Sequence, residues 1–139
     1  MTRENKAEKR NLQNCKSYFE SVIEDMNNFY NNKQDEYELG GLFNYFLCVQ
    51  TLTDPLYKNA HVISFLKAWG GPSYEFRYNP KNQDLYFCYM DWGFRKDIQI
   101  ERNEDNYNII LSVLNQVEDI DELHIKMLKE QIKTIRNGG

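Results

Sequence analysis

The sequence predicts an α+β domain: three N-terminal helices, a three-stranded antiparallel meander and two C-terminal helices. Three observations carry this. Apolar residues recur at three- and four-residue spacing from Leu12 to Phe29 and again from Ile109 to Ile135, the mark of amphipathic helices. From Ser73 to Glu101 the period falls to two, the mark of strands. Eight aromatic rings crowd into that same stretch: Tyr74, Phe76, Tyr78, Tyr86, Phe87, Tyr89, Trp92 and Phe94. With 139 residues, the chain reads as a single domain spanning 1–139, long enough to bury a core without covalent staples.

The first helix is expected over 4–31, with Leu12, Cys15, Phe19, Val22, Met26 and Phe29 inward and Lys16, Glu20, Glu24, Asn27 and Asn28 outward. Its stripe covers too few heptads for a coiled coil and favours packing within the domain. Residues 31–35 read as a polar connector. Leu39 to Leu52 is apolar on nearly every side, which predicts a central helix. Asp54 and Pro55 then read as N-cap and first residue of a third helix carrying Leu56, Val62, Ile63, Phe65, Leu66 and Trp69. Gly70-Gly71-Pro72 would stop it.

Strands follow at Ser73–Asn79, Asp84–Asp91 and Phe94–Glu101. A two-residue turn at Trp92-Gly93 pairs Phe87 with Ile98 and Leu85 with Ile100. A four-residue turn over 80–83 pairs Tyr78 with Leu85 and Phe76 with Phe87. Only this register places the apolar residues of all three strands on one face, because a one-residue slip reverses every side chain. The fourth helix carries Ile109, Ile110, Val113, Leu114 and Val117. The fifth starts at Asp121 as N-cap and packs by Ile125, Leu128, Ile132 and Ile135, with Lys126, Lys129, Lys133 and Arg136 toward its C-terminal end.

The other sheet face carries Glu75, Arg77, Tyr86, Cys88, Met90, Arg95, Asp97 and Gln99, with Trp92 at its rim. Tyr, Trp, Met and Arg are enriched in protein interfaces. Arg77, Tyr86, Met90, Trp92 and Arg95 are therefore the candidate partner-binding residues, unless a helix of the chain covers them. The same face could stack nucleobases, but a net charge of −4 argues against a nucleic-acid partner. His61 and His124, each placed on a different helix, have no neighbour at metal-ligand spacing. No phosphate loop, His-x-x-x-His or Cys-x-x-Cys occurs, and a Cys48–His61 pair or an acid pair among Asp84, Asp91, Asp97 and Glu75 is not favoured, so no catalytic residue, metal or cofactor is assigned. Cys15, Cys48 and Cys88 lie in apolar contexts and read as buried thiols of a reducing compartment.

No apolar run is long enough to span a bilayer, and the charged N-terminus has no signal core, which together predict a cytoplasmic protein, of a cell or of an infected host. The composition, small, acidic and rich in Tyr and Asn, resembles no family by motif. It leads to the expectation of a non-catalytic protein-binding domain, monomeric or homodimeric, that occludes a larger protein. A phage- or plasmid-encoded inhibitor of a host defence system, or an immunity or adaptor protein, has this character. The alternatives are a nucleic-acid-associated accessory factor using the aromatic face, and an enzyme without a familiar motif.

Overall fold

A computed structural model describes residues 3–31 and 41–138. One long helix, α1 (Arg3–Tyr30), is followed by a 3-10 turn (Gly41–Asn44) and five strands: β1 (Cys48–Asp54), β2 (Ala60–Ala68), β3 (Ser73–Asn79), β4 (Asp84–Asp91) and β5 (Phe94–Ile100). Helices α2 (Asp105–Val117) and α3 (Ile120–Gly138) close the chain. The strands form one antiparallel sheet in sequence order, β1 to β5.

The expected three N-terminal helices and three-stranded meander are thus corrected. Among the described residues only α1 is a long helix before the sheet, and the segments assigned to the second and third helices supply β1 and β2. The reason lies in β2, where Val62, Ile63, Ser64 and Phe65 are all buried. A strand covered on both faces loses its alternation and reads like a buried helix. The break at Asp54-Pro55 is a turn and not the start of a helix. Tyr57 N–H donates to Asp54 C=O at 3.1 Å, and Leu56 N–H donates to Asp54 Oδ1 at 3.0 Å. Pro55 therefore sits at the second position of a turn, where its fixed φ suits equally well. The connector over 32–35 and the start of the expected second helix at Leu39 and Gly40 lie outside the described residues.

The last three strands pair as their turns predict: Phe76 with Phe87, Tyr78 with Leu85, Phe87 with Ile98 and Leu85 with Ile100. Their shared face forms the core with α1 and α2. Tyr18 of α1 stacks on Tyr74 at 4.8 Å between ring centroids, and Phe19 meets Phe87 at 5.3 Å. Cys15, Val22, Met26 and Phe29 of α1 are buried, as are Ile110, Val113 and Leu114 of α2.

Helix α3 differs from its expected packing. Its buried residues are Ile120 and Met127, while Ile125, Leu128, Ile132 and Ile135 are exposed. Its first turn is capped by Asp119, whose Oδ1 accepts from Glu122 N–H at 3.1 Å, and not by Asp121. Among the described residues, no helix is long and apolar enough to cross a membrane.

Candidate functional site

The face opposite the core is covered, but by a hairpin rather than a helix. Asp54 ends β1 at one sheet edge and Arg95 lies on β5 at the other. In a flat sheet, four strand spacings would separate them by about 19 Å. Instead, Arg95 Nη2 donates to Asp54 Oδ2 at 2.8 Å. The end of the β1–β2 hairpin therefore lies over the outer face. Tyr57, in the hairpin loop, places its ring 4.8 Å from that of Tyr86 and donates its hydroxyl to Asp84.

Asp54 is the hub of a buried ionic network. Its Oδ2 accepts from Arg77 Nη1 at 2.6 Å, from Tyr86 Oη at 2.7 Å and from Arg95. Arg77 also binds Glu75, which accepts from Ser64 as well. Arg95 also binds Asp97 through Nε at 2.9 Å. Three carboxylates thus face two guanidinium groups. Burial alone would push the Asp54 carboxyl up, but hydrogen bonds from Arg95, Tyr86 and Arg77 outweigh it and hold the carboxyl well below its ordinary range. Burial and the hydrogen bond to Asp54 both push the Tyr86 hydroxyl up. Burial and Asp84 push Tyr57 up to about 12. Tyr86 and Tyr57 are thus neutral donors over the ordinary pH range.

The candidate residues consequently divide. Arg77, Tyr86 and Arg95 belong to the network and hold the hairpin down. Met90 is half-buried, and Trp92 is 96% exposed. Beside Trp92 stands Trp69, 77% exposed, a residue assigned from the sequence to a helix stripe. Trp92 and Trp69 line an open cavity of about 500 Å³ together with Leu56, Met90, Phe94 and Arg95. Leu56 comes from the hairpin loop, Trp69 from the β2–β3 turn and Trp92 from the β4–β5 turn. The apolar rim therefore gathers three connections that are distant in sequence, which is why spacing gave no sign of it.

Trp92 also has a backbone that its ring does not favour. Its φ is +46° and that of Gly93 is +82°. Two successive positive φ angles define the hairpin turn that prefers Asn-Gly, and a bulky residue in the first position is strained. Neither packing nor turn chemistry accounts for tryptophan here.

Two other expectations are corrected. Cys48 is exposed at the start of β1, while Cys15 and Cys88 are buried free thiols. Burial pushes the Cys88 thiol well up. His61 stands on β2, not on a helix, and it lines the same pocket as His124. Among the described residues, no group of three or more His, Cys, Asp or Glu side chains is placed to hold a metal ion. No family model matches the chain, and neither a curated protein nor a solved structure matches it.

Proposed function

We propose that this chain is a small, non-catalytic protein-binding domain whose partner seats on the Trp69, Trp92 and Leu56 rim. The observation that carries the reading is Trp92: a large ring, almost wholly in solvent, held in a strained turn next to a second exposed tryptophan. Tryptophan is among the residues that dominate binding energy at protein interfaces, most of all where it fills a pocket. The cavity beside it is lined by the apolar Leu56, Met90 and Phe94 and by the charged Asp91 and Arg95. Occlusion of a larger protein's surface, as an inhibitor or immunity protein does, fits the small size and acidic charge. The nucleic-acid reading needs free cations on the sheet face, and Arg77 and Arg95 are both engaged by carboxylates.

The test is affinity capture from native cell extract with the wild-type chain and with a Trp69→Ala, Trp92→Ala double variant. A specific protein is expected to be retained by the wild type and lost by the variant, with the variant's thermal melt unchanged. Equal retention by both chains would overturn the assignment of the rim.

A further inference from the structure

We propose that the pocket enclosed by the β1–β2 loop, the β3–β4 turn and α3 binds the phosphate group of a small organic phosphate. The pocket holds about 490 Å³. Lys58 enters from the β1–β2 loop, His61 from β2, Lys81 from the β3–β4 turn and His124 from α3. Both histidines of the chain meet here. None of the described lining residues is acidic, although acidic residues outnumber Lys and Arg in the chain, 21 to 17. The remaining polar lining is amide: Asn59, Asn79, Asn82 and Gln131. Cations and N–H donors contributed to one pocket by four separate elements suit an anion with several acceptor oxygens.

The loops that present the lysines are fixed. Lys81 N–H donates to Asn79 Oδ1 at 3.0 Å, and Arg102 Nη2 donates to Asn82 C=O at 2.9 Å. Lys58 and Asn59 occupy a turn closed by Ala60 N–H donating to Tyr57 C=O at 3.0 Å, with φ of +54° and +55°. Glycine or asparagine serves the first of these positions at less cost than lysine, so the turn itself does not call for Lys58. The pocket adjoins a groove of about 530 Å³ that shares His61, Met127 and Gln131 with it. There Thr51, Thr53 and Thr134 stand with Leu52 and Ile135, a lining suited to an organic body attached to the phosphate, and Glu130 is the one acidic residue of that groove, outside the phosphate pocket itself.

Titration of the 15N-labelled chain with phenyl phosphate, followed by amide chemical shifts, tests this. Saturable shifts centred on residues 58–61, 81–82 and 124–131 are expected, with phenol causing none. Lys81→Ala and Lys58→Gly should each weaken binding roughly tenfold. Lys58→Gly should melt no lower than the wild type, since it relieves the turn, which separates lost binding from lost folding. Lys133→Ala, outside the pocket, should bind as the wild type does. The proposal is overturned by an absence of saturation up to about 10 mM ligand. It is equally overturned if Lys133→Ala weakens binding as much as the pocket variants, which would mean diffuse attraction to α3.

Discussion

At the scale of single residues, Asp54 decides whether the outer sheet face closes. Its carboxylate draws together side chains from β3, β4 and β5 and is itself fully buried. Removing one partner of a buried charge cluster leaves the others uncompensated, at a cost of about 3–5 kcal/mol. Asp54→Ala is therefore expected to lose stability on that scale in urea unfolding, far more than an exposed carboxylate such as Glu122 when truncated. The pH dependence follows from the sign of the shift. The folded carboxyl is held below its unfolded value of about 3.9, so its contribution is complete above that pH and fades as pH falls below it. Tyr57 has the opposite sense. Its folded value is raised to about 12, so its contribution is complete below about 10 and fades as pH rises toward 12. Acid melts of Asp54→Ala and alkaline melts of Tyr57→Phe should each fall less steeply than those of the wild type, the alkaline one only in part because Tyr78 and Tyr86 are raised as well. Cys48 offers a simpler check: with Cys15 and Cys88 buried, a thiol reagent applied to the native chain should label Cys48 first, as read by peptide mass.

At the scale of elements, α3 is the least anchored. Its buried side chains, Ile120 and Met127, both lie in its first half, and its apolar stripe is exposed. Amide exchange in residues 129–138 is expected to outpace that of α2, whose Ile110, Val113 and Leu114 are buried. Ile132→Lys should shift stability by no more than about 0.5 kcal/mol, while Leu114→Ala should cost about 2–4 kcal/mol. The periodicity of α3 was legible from sequence, but which of its faces meets the sheet was not: the stripe at Ile125, Leu128, Ile132 and Ile135 is the more regular one, and Met127 is the one inside. The strands show the same division. β3, β4 and β5 were legible because Asn79-Pro80 and Gly93 marked the turns and one shared apolar face then fixed the register. β2 was not, because burial on both its faces removed the alternation that marks a strand, and β1, an edge strand exposed along most of its length, carries too few apolar residues to show one. Asp54-Pro55 reads identically as a helix start and as a turn, so local chemistry could not separate them.

At the scale of the whole molecule, the sheet has two closed faces and an open rim. One face is closed by α1 and α2 around an aromatic core, the other by the chain's own hairpin around ions. Of the candidate binding residues named from sequence, Arg77, Tyr86 and Arg95 close the second face, while Met90 and Trp92 line the rim cavity on which the proposed partner would seat. Its neighbour Trp69 could not be foreseen, since only the fold brings the β2–β3 and β4–β5 turns together. Trp69 and Trp92 are the only two tryptophans in the chain, so fluorescence excited at the red edge, where the ten tyrosines do not absorb, reports on the rim alone. Acrylamide quenching of that fluorescence, measured on the free chain and on its purified complex with a captured, tryptophan-free or fluorine-silenced partner, is the most direct test. The account predicts strong quenching in the free chain and marked protection in the complex; tryptophans quenched equally in both would contradict it.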